Sequence, residues 1–404
     1  MDLSVKRPDR IVPEYSLTGD LLSFERCQLQ YRYYNGSALP PSRPVQMWYG
    51  EFIHGMLEAA FRLWRATNGA LAFPWPCHPL EESGAPAAPP DGLAENDIRT
   101  LGWPIEVALM HQGKRARSRT ARKSAYRRAE AAVNLLGPHL FPLIADAEQK
   151  VIGTRALLDL PGTAVKRSNH YALHGVIDVL TNVEMAQAPE GNVIRDAVRA
   201  ACPDLSGTFE VIVDYKGSHR PATKLKGGRK NALWELGEWQ VLTYAWLRKR
   251  QQLSNPVAAG ILIYINELAP SSQDIDRLNA EIKAGSTDVE PKRGDADYYA
   301  LAAHKQGNRA KLTEAFRFRR AIRVIPVTDA KIREATDAFD RIVRDIEYCV
   351  VKEAAAGDIG SNWAASCDEE DTCAACDFRF FCKSDLAKKA VGDNRNPDDD
   401  DDDS

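Results

Sequence analysis

The chain has 404 residues, enough for two or three packed units, and its 44% hydrophobic and 27% charged residues are typical of a soluble protein. The formal net charge is −3, but removing the six consecutive aspartates at 398–403 changes it to +3, so the body of the chain is mildly basic. No window approaches the roughly 18 uncharged apolar residues of a membrane span, and no apolar stretch opens the sequence, which excludes a membrane-embedded chain and predicts a cytoplasmic protein.

The acidic tail and the cysteines each have two interpretations. A run of like charges cannot bury apolar surface, so the segment from Gly392 onward is predicted to be disordered, with mimicry of nucleic-acid charge as the second interpretation. Eight cysteines in a reducing compartment indicate buried thiols or metal ligands rather than disulfides.

Two helices are predicted near the N-terminus. The first covers residues 16–35 and contains Cys27. The second, GEFIHGMLEAAFRLW at 50–64, has apolar residues at helical spacing, with His54 beside the apolar stripe. The proline- and glycine-rich stretch at 73–92 then indicates a loop that introduces an insertion.

Basic residues concentrate in three segments. Residues 113–128, predicted to form a helix, hold eight Lys or Arg among sixteen residues, and further clusters occupy 223–230 and 304–320. Such a helix can simply present a solvated face, but unbalanced positive charge of this density is also typical of phosphate binding. The clusters predict a sequence-independent, salt-sensitive affinity for a nucleic-acid backbone.

Strand and helix patterns alternate in the rest of the chain. A helix is predicted at 234–250, between the last two of four strands near 149–159, 171–182, 209–217 and 258–268. Residues 315–327 alternate enough to predict another strand. A long amphipathic helix then runs from Thr328 toward Ala356, with Cys349 on its apolar face. Strands that flank a helix in this way predict an α/β core with a small mixed sheet.

Two opposite charges stand at the end of the strand FEVIVDYKG. Side chains alternate across a strand, so Asp214 and Lys216 point to one face while Val213 and Tyr215 point to the other. Burying both charges without a further partner would be costly. Taken alone, the pair also fits a surface ion pair at a strand end, which contributes only about 0 to 1 kcal/mol.

A second acid makes the pair more informative. Asp178 ends the apolar run of HGVIDVL, and two carboxylates from neighbouring strands would form a hard, oxygen-rich site suited to Mg²⁺ or Mn²⁺. Lys216 beside such an ion could orient or help deprotonate a water and offset the charge that builds on a phosphate. Glu148 is a further carboxylate, although a surface glutamate before a strand is the simpler interpretation. The arrangement fits phosphodiester hydrolysis.

Asp178 followed by Asp214, Tyr215 and Lys216 resembles the signature of the PD-(D/E)XK nuclease superfamily, and the surrounding residues resemble its RecB-like branch. In that branch a helical histidine that precedes the acids is a metal ligand, and His54 in GEFIHGMLE matches it. The resemblance therefore implies that His54, Asp178, Asp214 and the carbonyl of Tyr215 hold Mg²⁺ or Mn²⁺, with Lys216 serving the attacking water.

The same branch carries a glutamine and a tyrosine four residues apart on a later helix. Gln240 and Tyr244 in WQVLTYAW match this pair and share one helical face. By resemblance they would position the substrate strand, binding a phosphate, a base or the active-site lysine. Without the resemblance, the two residues would be part of an ordinary amphipathic helix.

A cysteine triplet stands near the end of the chain. CAACDFRFFC supplies Cys373, Cys376 and Cys382, and three closely spaced thiolates need a fourth ligand to close a metal or cluster site. Iron-sulfur members of the branch have one early cysteine and three late ones, so the resemblance implies a [4Fe-4S] cluster completed by Cys27. Cys367 is the alternative fourth ligand and zinc the alternative occupant, and three unligated thiols are the remaining interpretation.

Together these features predict an α/β protein with a restriction-endonuclease-like core: a small mixed sheet flanked by helices, helical insertions and a C-terminal iron-sulfur staple. The predicted divisions are N-terminal helices, a basic insertion, the nuclease core, a second insertion, the C-terminal helix with the cysteines, and the acidic tail, at 1–64, 65–147, 148–266, 267–327, 328–391 and 392–404.

The predicted function is that of a Mg²⁺- or Mn²⁺-dependent DNA nuclease. Similarity to CRISPR-adaptation exonucleases and AddB-type nuclease modules implies an exonuclease that acts on single strands or free ends in repair, CRISPR adaptation or phage defence. No P-loop of the form G-x-x-x-x-G-K-[ST] occurs, so unwinding would need a helicase or a defence-complex partner. A non-catalytic DNA-binding scaffold that keeps the fold and cluster is the alternative, and a restriction-like endonuclease is a third.

Overall fold

A computed structural model describes most of the chain. The described residues are 12–37, 39, 48–80, 88–183, 190–224, 231–252, 254–308, 310–367, 372–373 and 376–392. The six aspartates of the predicted disordered tail therefore lie outside the described residues, as do positions 225–230 of the basic cluster at 223–230. None of the described helices is both long enough and apolar enough to cross a membrane.

The chain forms an α/β protein with one six-stranded sheet and many helices. The strands are β1 Glu14–Ser16, β2 Ile144–Ala156, β3 His170–Val183, β4 Phe209–Lys216, β5 Val257–Tyr264 and β6 Ile322–Pro326. The helices up to β4 are α1 Leu22–Arg26, α2 Gln28–Tyr31, α3 Trp48–Ala66, α4 Ile98–His111, α5 Arg119–Ala131, α6 Gly137–Leu140 and α7 Val193–Ala201. The later helices are α8 Ala232–Arg248, α9 Ile265–Leu268, α10 Ser272–Ala284, α11 Ala296–Ala302, α12 Glu314–Ala321, α13 Asp329–Ala356 and α14 Asp385–Gly392. Segments of π-helix at Leu17–Leu21, Arg32–Gly36 and Ala132–Leu136, and a 3₁₀ turn at Phe141–Leu143, extend α1, α2, α5 and α6.

The sheet is open and mixed, as predicted. Its order is β1-β3-β4-β5-β6, with β2 paired to the remaining edge of β3. β1 runs parallel to β3 and β4 runs parallel to β5, while the β2–β3, β3–β4 and β5–β6 pairs are antiparallel. Strands β3 and β4 pair directly, and α7 lies in the connection between them.

Helices cover both faces of the sheet. On one face α3 and α5 pack against alternate residues of β4, namely Val211, Val213 and Tyr215. On the other face α8, α13 and the N-terminal helices pack around Ile212. A strand covered on both faces reads as a continuous apolar run, which explains the sequence FEVIV. Each fully buried aliphatic side chain of this kind stabilises the fold by about 1.5–3 kcal/mol.

Several secondary-structure predictions were wrong in part. The strand predicted over 258–268 ends at Tyr264, because Ile265–Leu268 form helix α9. The helix predicted over 16–35 is interrupted at Cys27, whose backbone is extended with φ −162° and ψ 112°, so this cysteine lies between α1 and α2. The strand predicted over 315–327 begins only at Ile322, because residues 314–321 form helix α12. Thr313 caps that helix by accepting a hydrogen bond from the Phe316 amide at 3.2 Å, a local signal that outweighs the alternating pattern.

The long C-terminal helix α13 matches its prediction closely. Thr328 is its N-cap and accepts a hydrogen bond from the Lys331 amide at 3.3 Å. Gly357 ends the helix in the left-handed conformation, with φ 67°. Cys349 lies on the apolar face of α13 and is buried in the core, as the periodicity predicts.

Candidate metal centre

Three carboxylate residues form a row across adjacent strands. In the β2–β3 ladder Ala147 pairs with Val179 and Gln149 pairs with Ile177, so Glu148 lies opposite Asp178. On the other edge of β3 the described ladder ends at the pair Val179 and Val213, so the same register sets Asp178 beside Asp214. Residues directly opposite on neighbouring strands have Cβ atoms about 4.5–5.5 Å apart. The sheet register thus brings both predicted acids, and one more, to a single place.

Helix α3 brings His54 to this row. Its Nε2 lies 3.0 Å from the carbonyl oxygen of Tyr215, and its Nδ1 lies 3.5 Å from Asp178 Oδ2. Because a carbonyl can only accept, Nε2 carries the proton and donates it, and in the neutral ring Nδ1 keeps a lone pair that faces the carboxylate. One ligand atom from each of His54, Glu148 and Asp178 lies within 4.8 Å of the others, the only such group of His, Cys, Asp or Glu atoms among the described residues.

Glu148 belongs to this group although it was expected to be a surface residue. Its backbone φ is +55°, in the left-handed region that non-glycine residues rarely adopt. Such conformations cost of the order of 1–3 kcal/mol and are enriched at functional sites. The strand predicted near 149–159 stops short of Glu148, so the sequence pattern held no signal for this placement.

The carboxylates of the group destabilise one another's charge. Burial raises the pKa of Asp178 well above its usual value, and the neighbouring Asp214 raises it further, although the Tyr215 amide donates to Asp178 Oδ2 at 2.8 Å and opposes the change. Burial also raises the pKa of Glu148, with the charge of Glu58 adding to the effect. A cation placed between the carboxylates would remove this repulsion.

Asp214 and Lys216 point to the same face of β4, as predicted, and helix α8 covers them. Lys216 Nζ lies 2.7 Å from Asp214 Oδ2 and donates a hydrogen bond to Gln240 Oε1 at 2.5 Å. Gln240 Nε2 donates to Asp214 Oδ1 at 2.9 Å, while Asp214 Oδ2 accepts no hydrogen bond of good geometry among the described residues. Burial lowers the pKa of Lys216, but the Asp214 carboxylate outweighs it, and the net shift is upward.

Gln240 and Tyr244 share one face of α8, and both are buried, at 6% and 4% exposure. Gln240 donates a hydrogen bond to the Tyr244 hydroxyl at 3.4 Å. Gln240 also accepts a hydrogen bond from Lys216, so of the three partners that the sequence left open for it, the structure favours the lysine. The Tyr244 ring packs onto β3 at Gly175, where a Cβ atom would lie 2.6 Å from Tyr244 Cε1. The glycine of HGVID is therefore required by the tyrosine that covers it.

The predicted cluster cysteines line one pocket near the chain ends. Its lining includes Cys27, Cys373, Cys376, Cys382 and the alternative ligand Cys367. No three sulfur atoms of the described cysteines lie within 4.8 Å of one another. The pKa of Cys373 is raised to about 12. Burial is the main cause, and the hydrogen bond with Cys367 raises the pKa further. The structure thus brings all five thiols to one cavity without showing an iron-sulfur site.

Many of the basic side chains have partners inside the protein. Helix α5 begins only at Arg119. Engaged cations in 113–128 include Lys114 with Glu51, Arg122 with Glu106, Arg128 with Asp274, and Arg127 with the Ala269 and Pro270 carbonyls, and Arg117 and Arg119 also have partners. In the cluster at 304–320, Arg317 donates to the Leu268 carbonyl and Arg320 pairs with Glu267. Less charge is therefore available to phosphates than composition predicts.

The chain was compared with known proteins. It matches no family model, and it has no significant match among curated proteins.

Proposed function

We propose that this protein is a divalent-metal-dependent DNA nuclease of the PD-(D/E)XK type, related to the RecB-like branch. The observation that carries the proposal is the convergence of His54, Glu148 and Asp178, from one helix and two strands, beside the Asp214–Lys216 pair. An apolar sheet has no structural need for three carboxylates in one row, since repulsion between them destabilises the fold.

The donor set fits Mg²⁺ or Mn²⁺. Ligand atoms about 2.0–2.1 Å from a cation stand about 3 Å apart in octahedral geometry, and His54 Nδ1 and Asp178 Oδ2 lie 3.5 Å apart, although Asp178 Oδ2 also accepts from the Tyr215 amide. Glu148 completes the group, and Asp214 and the Tyr215 carbonyl stay predicted ligands. A bound cation would supply Lewis-acid activation of the phosphate and of a coordinated water.

The residues of the chain then have separate tasks. The Lys216 ammonium group lies 2.7 Å from Asp214 and donates to Gln240, so it is a positive charge held in position to stabilise the developing negative charge on the phosphate. Gln240 holds the ammonium group of Lys216 and one oxygen of Asp214 in place. Of the two roles proposed for the lysine, charge stabilisation is the one that its surroundings support.

The substrate assignment depends on the resemblance together with the remaining surface charge. Single-stranded DNA with free ends is the proposed substrate, and an end-directed exonuclease in repair, CRISPR adaptation or phage defence is the proposed activity. Exposed cations that support a nucleic-acid substrate include Arg115, Lys123, Lys305, Lys311 and Arg319. They would give a salt-dependent affinity without sequence preference.

Digestion of end-labelled single-stranded DNA with Mg²⁺ tests the activity. Wild type is expected to degrade the strand, Lys216→Ala to lose activity, and Lys249→Ala, which removes an exposed lysine outside the basic clusters, to keep it. Equal cleavage by wild type and Lys216→Ala would remove Lys216 from the mechanism. A protein that binds DNA but shows no Asp178-dependent Mn²⁺ uptake in calorimetry would be a scaffold, and cleavage of closed circular DNA would identify an endonuclease.

We further propose that the cysteine pocket holds a [4Fe-4S] cluster. Five thiols line it, from both ends of the chain, and a cluster needs four. Zinc is the alternative occupant, because four thiolates also complete a tetrahedral zinc site. The first role of the cluster would be to join the chain ends.

A further inference from the structure

The segment that follows the active-site lysine leads directly to a pair of basic side chains. After Lys216, Gly217 passes so close to helix α3 that an added Cβ would lie 3.2 Å from Tyr49 Cε1. The Ser218 carbonyl accepts a hydrogen bond from the Asn266 amide at 3.4 Å, and the Arg220 amide donates to Glu267 Oε1 at 2.8 Å. His219 is therefore held between two fixed points, three residues beyond Lys216.

Arg277 of helix α10 donates a hydrogen bond to His219 Nδ1. Because Nδ1 accepts, the neutral ring carries its proton on Nε2 and presents it as a donor. Burial lowers the pKa of His219, and the positive charge of Arg277 lowers it further, so the neutral ring is the stable form. The pair thus offers one full positive charge and N–H donors on both side chains.

No carboxylate among the described residues forms an ion pair with Arg277, which is exposed. Glu281, on the same helix, feels the charge of Arg277 but lies 3.5 Å from Arg320. The acids closest to His219 have other partners: Asp274 binds Arg128 at 2.7 Å, and Glu267 binds Arg320 at 2.9 Å. An arginine that contacts a neutral imidazole in place of a carboxylate keeps its capacity for an anionic ligand.

Helix α10 is anchored firmly enough to hold Arg277 in position. Ser271 and Asp274 form a reciprocal capping box at its N-terminus, and Arg128 fastens Asp274 to helix α5. Ile275 and Leu278 are buried in a cluster with Phe316 on the inner side of the helix. The predicted insertions at 65–147 and 267–327 are thus joined to each other and to the segment that follows strand β4.

We propose that Arg277 and His219 bind a backbone phosphate of the substrate strand next to the scissile one. Three residues span at most about 11 Å, and a single nucleic-acid strand carries one phosphate per about 3.4 Å of helical rise, so the bound phosphate lies within about three nucleotides of the cleavage site. The identification of this phosphate as part of the substrate strand rests on the proposed nuclease function. The chemistry of the ligand, a phosphodiester, follows from the Arg277–His219 pair.

Binding of a fluorescent single strand of about 20 nucleotides, measured by anisotropy in Ca²⁺, tests the site without any need for cleavage. Arg277→Ala should weaken binding about tenfold and reduce the salt slope by about 0.7, the value for one lost phosphate contact. His219→Gln should weaken binding less, because it keeps an N–H donor. Arg333→Ala on α13, also exposed and without an ion pair among the described residues, is the matched control and should bind like wild type.

Cleavage kinetics separate this inference from the proposed function. In Mg²⁺, Arg277→Ala should raise KM for the long strand about tenfold, leave kcat unchanged, and cleave a dinucleotide with one phosphodiester bond like wild type. If wild type is active and Arg277→Ala keeps the wild-type KM and Kd, the subsite is overturned and the nuclease function stands. Arg277-dependent binding without cleavage by wild type would overturn the nuclease function and keep the subsite. Arg277-dependent binding of inorganic phosphate but not of the strand would identify a small-anion site and overturn the assignment.

Discussion

Lys216 donates a hydrogen bond to the side-chain oxygen of Gln240 at 2.5 Å, across the interface between strand β4 and helix α8. The amide group of Gln240 binds Asp214 at the same time, so one buried side chain orients both members of the charge pair. A group that holds reacting residues in place is expected to affect rate more than metal or substrate affinity.

Replacing Gln240 tests this orienting role. Gln240→Ala should lower kcat about 10- to 100-fold with little change in the affinity for Mn²⁺, because it frees Lys216 without removing a proposed ligand. Gln112→Ala, at an exposed glutamine, should leave kcat unchanged. Steady-state rates together with Mn²⁺ calorimetry measure both quantities, and a loss confined to metal affinity would place Gln240 among the ligands instead.

Glu148 should contribute directly to metal binding. Glu148→Gln keeps the size of the side chain but removes a charge from the group with His54 and Asp178, so the affinity for Mn²⁺ is expected to fall at least tenfold. Glu58→Gln is the control, since Glu58 is a nearby carboxylate on α3 that pairs with exposed Arg62. Calorimetric titration compares the three proteins, and equal affinities would restore Glu148 to the surface role expected from the sequence.

The contact between Gly175 and Tyr244 predicts a strong steric effect. Gly175→Ala forces a methyl group into the Tyr244 ring and should reduce the free energy of unfolding by about 1–3 kcal/mol. Gly50→Ala is the matched control, because an added Cβ there meets no atom within 4 Å and alanine favours the helix. Urea denaturation of both variants provides the measurement, and a neutral Gly175→Ala would show that Tyr244 has another rotamer available.

The pH dependence of stability should include a contribution from His139. Burial lowers the pKa of this side chain, which lies edge-on to Phe318, although the charges of Glu314 and Asp196 oppose the shift. The unfolded chain then binds more protons, so the stabilisation present above the unfolded pKa of about 6.5 is lost as pH falls toward the lower folded pKa.

A substitution at His139 makes this effect measurable. Wild type should lose more unfolding free energy than His139→Gln between about pH 7.5 and about pH 5.5, by up to about 1.4 kcal/mol for each unit of pKa shift. His111→Gln, at an exposed histidine, should follow wild type. Parallel pH profiles for wild type and His139→Gln would mean that His139 titrates alike in the folded and unfolded chains.

The cysteine pocket predicts a coloured protein whose stability depends on its cofactor. Anaerobically purified protein should absorb near about 400 nm and contain iron, and Cys382→Ala should lose both. Comparing Cys27→Ala with Cys367→Ala identifies the fourth ligand, since only the ligand variant should lose the cluster and show a lower Tm. A colourless protein that contains zinc would contradict the iron-sulfur assignment.

A mixed sheet and the placement of Asp178 and Asp214 on neighbouring strands could be predicted because they depend on local patterns, whereas the strand order, strand β1 and the start of β6 could not. Apolar runs, turn residues and a two-residue period locate the central strands, and the same period sets Asp214 and Lys216 on one face. The role of Glu148 could not be deduced in this way, because its orientation depends on a left-handed backbone conformation that propensity does not indicate.

The basic clusters show the limits of composition. Charge density does not reveal which cations have carboxylate partners, and Arg122 and Arg128 bind acids 16 and 146 positions away in the sequence. The interruption at Cys27 was missed for a related reason, since that residue adopts an extended backbone where the chain packs against residues from the other end of the sequence. Both outcomes depend on tertiary contacts between distant segments.

The meeting of the two chain ends has a consequence for biosynthesis. The Tyr34 hydroxyl donates to Asp377 across 343 positions, Trp363 packs edge-on to Phe24, and the Leu29 amide donates to the Ala364 carbonyl. A ribosome therefore exposes residues 12–37 long before their packing partners at 363–377 have been translated. This half of the core can consolidate only after those partners have emerged, so a nascent chain that stops before them would display the aromatic residues of 12–37 to chaperones and proteases.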